Sequence, residues 1–179
     1  APVVPPSPTD RVEPVRGVKR IMVTSMTKSL EIPHFMYADE YSMSQATATR
    51  ARINAAAPDG KKMSYMPLII KAASLALNKY PVLNSSLSDD QSEIRYHGSH
   101  NIGVAIDTPQ GLVVPNIKNV QSRSLLEIND ELIRLQAMGS TGNFDADDLK
   151  GTTFSLSNIG AIGGTYTSPV IAAPQVCCR

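Results

Sequence analysis

Residues 152–160 have the sequence TTFSLSNIG, and two glycines follow at positions 163 and 164. Apolar and polar residues alternate up to Ser157, which predicts a strand over 152–157 that enters a glycine turn. The strand ends in the hydroxyl of Ser157 and the amide of Asn158, and both groups can donate hydrogen bonds to a developing oxyanion. Because these residue types also hydrogen-bond locally before glycines, the pair is equally explained as a turn cap.

The composition is that of an ordinary globular protein. With 179 residues, 42% of them hydrophobic, the chain is long enough for one domain with its own core. The 17 basic and 16 acidic side chains give a net charge of +1, which argues against a nucleic-acid partner. No apolar run approaches the roughly 18 residues of a membrane span, so no membrane association is expected.

The sequence contains neither a metal-binding motif nor a disulfide pattern. The sequence has neither a Cys-x-x-Cys nor a His-Glu-x-x-His motif, so no bound metal is expected. Its two cysteines, Cys177 and Cys178, are adjacent, and neighbouring cysteines rarely pair with each other. They favour a reducing compartment over a disulfide framework.

The chain divides into a proline-rich start and a region of mixed helices and strands. Five prolines fall within residues 1–17, which predicts a semi-rigid linker, with a frayed terminus as the alternative. Residues 18–179 are predicted to form one domain. Apolar periodicity predicts helices over 18–30, 44–57, 67–80 and 124–138. Alternation and turn signals predict strands over 34–41, 82–86, 94–96, 102–107, 112–117 and 152–157. This mixture predicts an α/β class, in the form of an α+β two-layer arrangement with a mixed sheet.

Three further groups of residues are candidates for chemistry. The histidines His34, His97 and His100 lack an acidic residue at a spacing that would orient an imidazole, so they are interpreted as surface or packing residues. The basic residues within 50–62 form either a solvated face or a contact for a phosphorylated ligand. The motif DTPQGLVVP at 107–115 is either an ordinary hairpin or part of a site.

Several long motifs occur in a characteristic order. They are IPHF at 32–35, SYMP at 64–67, KAASL at 71–75, SHNIG at 99–103, DTPQGLVVPNIKN at 107–119, the stretch 132–139 and the stretch 153–169. Over about residues 14–176 the chain resembles the catalytic domain of the dihydrolipoamide acyltransferases, the E2 cores of 2-oxo acid dehydrogenase complexes. Within that family it is most similar to the branched-chain branch.

The resemblance implies a fold and an activity. The expected fold is that of chloramphenicol acetyltransferase, incomplete at the C-terminus, with trimers that assemble into a hollow cubic core. The implied reaction transfers a branched acyl group, such as isobutyryl, between coenzyme A and a lipoyl-lysine on a separate lipoyl domain. The implied partners are copies of the chain itself and, through modules outside this sequence, the decarboxylase (E1) and dehydrogenase (E3) components. The implied location is the mitochondrial matrix.

The resemblance also assigns site residues. Ser157 matches the hydroxyl that stabilises the oxyanion of the tetrahedral intermediate. The residues that match coenzyme A contacts are Arg50, Ser64, Asp107, Gln136, Ser157 and Asn158. Of these, Arg50 aligns only if a one-residue gap is placed before Ser64.

One expected element is missing from the sequence. The family's general base is the histidine of an Asp-His-Arg-x-x-Asp-Gly motif, which does not occur among these 179 residues. A free thiol has a pKa of about 8.5, and a positioned base typically contributes roughly 10²–10⁴-fold to the rate. We therefore expect a truncated, naturally shortened or incompletely determined chain that is poorly stable and exposes apolar surface on its own. An alternative is an inactive scaffold subunit that keeps the fold and binds coenzyme A; acetyl transfer to a diffusible acceptor is less favoured.

Overall fold

The computed structural model describes residues 10–57, 61–109, 111–160 and 163–178. Within these ranges the helices are α1 (Val18–Leu30), α2 (Ser44–Ala56), α3 (Met66–Lys79) and α4 (Leu125–Thr141). The strands are β1 (Ser85–Leu87), β2 (Ile94–Tyr96), β3 (Ile102–Val104), β4 (Ile106–Thr108), β5 (Gly111–Val113), β6 (Asn116–Ile117) and β7 (Phe154–Leu156). None of the described helices has the length and apolar character needed to cross a bilayer.

The strands form one central sheet and two hairpins. In the central sheet β3 lies between β6 and β7, antiparallel to β6 and parallel to β7. Strands β1 and β2 form one antiparallel hairpin, and β4 and β5 form the other. Helices pack beside a sheet that contains both parallel and antiparallel pairs, so the predicted mixed α/β class is confirmed.

The hydrophobic core lies where α3 and α4 pack together beside the central sheet. Ile70 and Leu77 are seven residues apart on α3, and Ile128, Leu132 and Leu135 share one face of α4. The strands and the turn after β6 supply the other buried members, which are Ile102, Val104, Ile117, Val120, Phe154 and Leu156. Burial of each such side chain contributes about 1.5–3 kcal/mol, so this cluster is the rigid part of the domain.

Local sequence signals located the helices well. Helix α4 begins with the predicted capping box, in which Ser124 Oγ accepts from Glu127 N and Glu127 Oε2 accepts from Ser124 N. It continues three residues beyond the predicted end, because Gly139 is accommodated inside it and the chain leaves the helix only at Gly142, with φ of 72°.

The predicted strand over 34–41 is wrong. Among the residues that the structure describes, no strand pairs with this segment, and Phe35 is 88% exposed. Side chains hold it instead. His34 Nδ1 donates to Ile32 O at 2.7 Å, His34 Nε2 accepts from Ile171 N at 3.0 Å, and Tyr166 Oη donates to Glu40 Oε1 at 2.9 Å. An alternating pattern specifies a strand only when an open sheet edge is near it.

The predicted strand over 94–96 is confirmed as β2, but several others are shorter than expected. The stretch 82–86 begins as a 3-10 turn at Pro81–Asn84, and the stretch 102–107 is divided between β3 and β4. In the proline-rich start, residues 10–16 have no regular secondary structure, and residues 1–9 lie outside the described residues. The assignment of residues 1–17 as a linker stays a prediction.

Gly139→Ala should weaken the packing of α4 against β4. A Cβ at position 139 would lie 2.7 Å from Ile106 Cγ2, which is closer than carbon atoms pack. We expect the clash to cost about 1–3 kcal/mol, more than the gain in helix propensity of about 1 kcal/mol. Urea denaturation measures the loss. In an Ile106→Ala background the same substitution should be neutral or stabilising, and equal losses in both backgrounds would contradict this packing.

A carboxylate–guanidinium pair fixes the loop before β7. Arg134 Nη2 lies 2.6 Å from Asp148 Oδ1, and Arg134 also pairs with Glu131 at 2.7 Å. The hydrogen bond from Arg134 is the main reason that the pKa of Asp148 is lowered. The backbone carbonyl of Asp148 accepts from the N–H and the Nδ2 group of Asn116 in β6. The pair therefore connects α4 to the central sheet.

Asp148→Asn should reduce stability in a pH-dependent way. The folded pKa of Asp148 lies below its unfolded value of about 3.9, so its stabilisation is present above that pH and is lost as the pH falls through the folded pKa. We expect a loss of about 1–3 kcal/mol at pH 7 that shrinks in acid. Urea denaturation from pH 7 to pH 3 tests this. The exposed neighbour Asp147 supplies the control Asp147→Asn; an equal effect of both variants would contradict the assignment.

Candidate functional site

Ser157 and Asn158 lie at one end of the central sheet. They follow β7 directly, where Leu156 is in register with Val104 of β3. Ala105 N donates to Leu156 O at 3.1 Å, and the chain then enters β4. Both side chains are exposed. The parallel pairing of β3 and β7 therefore delivers Ser157 next to the start of β4.

The turn after Ser157 is held by Asn158. Asn158 Oδ1 accepts from Gly160 N at 2.9 Å, and Gly163 N donates to Ile159 O at 2.9 Å. The turn-cap interpretation is thus confirmed for the oxygen of Asn158. Within the described part of the chain, neither Asn158 Nδ2 nor the Ser157 hydroxyl has a hydrogen-bond partner. Both donors are available to a ligand.

Asp107 lies on β4, and Gln136 lies on α4, the helix that packs against this strand. Asp107 is in β4, opposite Leu112 of β5, and its side chain is exposed. Helix α4 packs against β4 through Gly139 and Ile106. Gln136 is exposed on α4 one turn before Gly139, and residues three apart share a helix face. The structure therefore places Asp107 and Gln136 on two elements that are in contact with each other.

Arg50 and Ser64 form a second group. Arg50 Nε donates to Met63 O at 2.8 Å, and the guanidinium lies 4.6 Å from the centre of the Tyr65 ring. Ser64 Oγ accepts from Met66 N at 3.3 Å, at the start of α3. The terminal nitrogens of Arg50 have no acceptor among the described residues, so they can pair with an anionic group.

Helix α4 connects the two groups. Lys61 Nζ lies 3.2 Å from an oxygen of Asp130, and Asn129 Nδ2 donates to Lys61 O at 3.4 Å. Asn129 and Gln136 are seven residues apart, hence on one face and separated by about 10 Å along the axis. The contacts of Lys61 therefore link the chain segment before Ser64 to α4, the helix that carries Gln136.

The three histidines are engaged elsewhere. His97 Nε2 lies 3.1 Å from Ser86 Oγ, and the buried His100 contacts Ser74 Oγ through Nδ1 at 2.8 Å. Burial is the main cause that lowers the pKa of both His97 and His100. His34 is bound to the backbone of Ile32 and Ile171, as described above. None of these hydrogen bonds is made to Ser157.

A cleft lies at the opposite end of the sheet. It has a volume of about 560 Å³ between the β1–β2 hairpin and the starts of β3 and β7, and Ser86, Tyr96, Asn101 and Thr152 line it. None of the six candidate residues borders it. Among the residues that the structure describes, no group of acidic, histidine and cysteine side chains could hold a metal ion.

Sequence reasoning missed the residues that hold Arg50 and Ser64 in place. Asn54 exchanges two hydrogen bonds with the backbone of Met63, and Thr47 Oγ1 lies 3.1 Å from Tyr65 Oη. Thr47, Arg50 and Asn54 recur at three- and four-residue spacing, which places polar groups along one face of α2. That spacing is the signal that could have identified them.

Comparison with known proteins identifies the class. Residues 7–178 match the family model for the catalytic domain of the 2-oxoacid dehydrogenases acyltransferases. The chain belongs to this family, as the motifs indicated. Its mixed sheet and helices accordingly form the chloramphenicol acetyltransferase-like fold of these catalytic cores.

Several similar proteins belong to the branched-chain branch of this family. The chain is 51% identical over 168 residues to the mitochondrial lipoamide acyltransferase component of the branched-chain alpha-keto acid dehydrogenase complex from Bos taurus. It is 50% identical over 172 residues to the same component from Caenorhabditis elegans. These matches cover 93% and 96% of the chain but only 35% and 38% of the relatives, so the chain spans little more than a third of their length.

Solved structures of related catalytic cores have the same fold as this chain. The cubic core of the pyruvate dehydrogenase multienzyme complex superimposes with a TM-score of 0.89 at 31% identity, covering 99% of this chain and 76% of that one. The same values hold for the dihydrolipoamide acetyltransferase of Azotobacter vinelandii, a structure that concerns the roles of a serine, a histidine and an asparagine in its catalytic mechanism.

Asn158→Asp separates the two roles of this side chain. A carboxylate still accepts from Gly160 N but has no donor to replace Nδ2. If the amide donates to coenzyme A, the KM for its acyl ester should rise by about fivefold to tenfold, the effect of one lost hydrogen bond. Steady-state kinetics of the assembled protein provide the measurement. A KM that is unchanged in Asn158→Asp but raised in Asn158→Ala would show that Asn158 only stabilises the turn.

Proposed function

We propose that this domain transfers a branched acyl group between coenzyme A and the lipoyl-lysine of a branched-chain 2-oxo acid dehydrogenase complex. The observation that carries the proposal is the identity of about half of all residues to branched-chain acyltransferase components from two animals. Identity to the acetyltransferase component of the Bacillus subtilis pyruvate dehydrogenase complex is lower, at 36%. The branched-chain reaction is therefore favoured over acetyl transfer.

The proposed step is a thioester exchange. The thiolate of one carrier attacks the acyl carbonyl of the other, and a carbon–sulfur bond forms while the carbonyl oxygen becomes an oxyanion. The intermediate collapses, the original carbon–sulfur bond breaks, and the departing thiolate takes up a proton. Ser157 supports this role because its exposed hydroxyl has no partner among the described residues and can donate to the oxyanion.

The proposed coenzyme A contacts come from both groups of candidate residues. Arg50 offers its terminal nitrogens to a phosphate, and Ser64 lies beside it. Asp107, Gln136 and Asn158 offer a carboxylate and two amides for the polar parts of the carrier. An extended carrier bound in this way would lead its thiol toward Ser157.

The proposal needs a base from outside these 179 residues. The three histidines of the sequence are bound to other groups, and a thiol with a pKa of about 8.5 is mostly protonated near neutral pH. By resemblance, the base is the histidine of the Asp-His-Arg-x-x-Asp-Gly motif, contributed to the site by a neighbouring subunit. The serine and histidine named for the Azotobacter vinelandii enzyme support such a pair.

The wider assignments rest on the same relatives. We propose self-association into trimers and a cubic core, partnership with the decarboxylase and dehydrogenase components, and a location in the mitochondrial matrix. The cubic core formed by a structural neighbour and the mitochondrial names of the branched-chain relatives support these assignments.

The terminal nitrogens of Arg50, which have no acceptor among the described residues, also suit a second candidate, an inactive subunit that keeps the fold and binds coenzyme A. The intact mass of the protein from its source discriminates between the two. A mass well above 19.2 kDa, with a peptide that contains the histidine motif, supports the enzyme. A mass equal to that of this chain supports the scaffold.

Ser157→Ala should lower the kcat of isobutyryl transfer from isobutyryl-coenzyme A to dihydrolipoamide. Loss of one oxyanion donor typically costs about 10²–10³-fold in kcat, and KM should change little because the contact forms in the transition state. The assay uses the assembled protein purified from its source. Ser168→Ala alters an exposed serine beyond the turn and should leave kcat unchanged. Turnover that survives Ser157→Ala intact would contradict the oxyanion role.

A further inference from the structure

We infer that Asn54 is a positioning residue, whose amide clamps the backbone of Met63 and thereby fixes Arg50 and Ser64 for binding of coenzyme A. The functional part of this inference rests on the proposed function. Asn54 itself is not among the residues expected to touch the ligand. It acts on them through one peptide segment, residues 63–65, which is called the clamped segment below.

The clamp consists of two reciprocal hydrogen bonds. Met63 N donates to Asn54 Oδ1 at 2.7 Å, and Asn54 Nδ2 donates to Met63 O at 3.0 Å. The amide therefore pairs with both backbone groups of one residue, as a neighbouring strand would. The Met63 side chain is 1% exposed, so the clamp acts on a residue that the interior already anchors.

Arg50 shares the same carbonyl. Its Nε donates to Met63 O at 2.8 Å, beside the bond from Asn54, and a carbonyl oxygen can accept two hydrogen bonds. One turn further back, Thr47 Oγ1 contacts Tyr65 Oη at 3.1 Å, and the Tyr65 ring lies beneath the Arg50 guanidinium. The conformation of Arg50 is thus determined by the position of the clamped segment.

Ser64 lies between two held residues. Both backbone groups of Met63 are bonded to Asn54, and the ring of Tyr65 is held by Thr47 and Arg50. Ser64 itself is exposed and bonded only to the start of α3 among the described residues. Its direction toward a ligand therefore depends on the clamp.

Helix α2 has little else to hold it. None of its residues, all of which the structure describes, is buried, so apolar packing contributes little to its position. Its polar contacts with the clamped segment take that role. The other side of this region is tied to α4 through Lys61 and Asp130. Loss of the clamp should let α2 and Arg50 shift while the core stays folded.

The test compares Asn54→Ala with Gln45→Ala in the assembled full-length protein. Gln45 is an exposed amide on the same helix without a hydrogen bond to a described residue. We expect Asn54→Ala to raise the KM for isobutyryl-coenzyme A by about tenfold, since roughly one to two net hydrogen bonds are lost. The kcat and the KM for dihydrolipoamide should change by less than about twofold. Gln45→Ala should match the wild type.

Two further variants test the route of the effect. Asn54→Asp keeps the acceptor for Met63 N and loses the donor, so its KM should lie between those of the wild type and Asn54→Ala. In an Arg50→Ala background, Asn54→Ala should raise KM by less than it does alone, because the two residues act through one carbonyl. Full additivity of the two effects would overturn the inference.

Hydrogen exchange tests the clamp without reference to activity. The amide of Met63 should exchange faster in Asn54→Ala than in the wild type and Gln45→Ala, and equal rates would overturn the inference. A parallel fall in kcat and in affinity for both substrates, or loss of folding, would show a general structural role and also overturn it. If the wild type neither turns over nor binds coenzyme A, the proposed function fails, and the exchange result then decides the clamp alone.

Discussion

The parallel pairing of β3 with β7 is the constraint on which the candidate site depends. Through this pairing β7 delivers Ser157 and Asn158 to the point where β3 passes into β4. The pairing needs Gly103, since a Cβ there would lie 2.7 Å from Thr152 Cγ2 and 3.0 Å from Val114 Cγ1. Strand β4 in turn holds α4 through Ile106. Ser157, Asp107 and Gln136 therefore belong to one rigid unit built on the apolar core.

The other half of the site is held by a different kind of force. Helix α2 contributes no buried residue, and Arg50 is oriented by hydrogen bonds and an aromatic ring. Apolar packing is non-directional and cooperative, whereas these contacts are few and directional. Changes around α2 are thus expected to act on carrier binding, and changes at Ser157 on the chemical step. A division of this kind lets affinity and rate vary separately within one fold.

The sequence predicted the features that depend on interactions between residues close together in the chain. Helix α4 and its capping box were found because Ser124 and Glu127 are three residues apart and the apolar face has helical period. The resemblance assigns Ser157 because it lies inside the continuous stretch 153–169, whereas Arg50 lies outside the matching motifs and aligns only with a one-residue gap before Ser64. Contacts between distant segments were not predictable. The stretch 34–41 alternates like a strand yet has no partner strand among the described residues. The hydrogen bond between Asn54 and Met63 depends on the fold, which brings these two residues together.

The side chains around Arg50 indicate whether this part of the fold serves ligand binding or only packing. An arginine fixed over a tyrosine ring loses side-chain entropy of up to about 2 kcal/mol. The ring contact returns about 0.5–2 kcal/mol and the hydrogen bond to Met63 O about 0.5–1.5 kcal/mol, so the net stabilisation is small. Core packing of α3 and α4 does not require this arrangement, since neither residue belongs to the apolar cluster. Ordering of a cation whose terminal nitrogens remain open is useful when an anion is to be bound. Binding of an anionic carrier, which the enzyme and the coenzyme A-binding scaffold share, therefore explains this half of the structure better than core packing does.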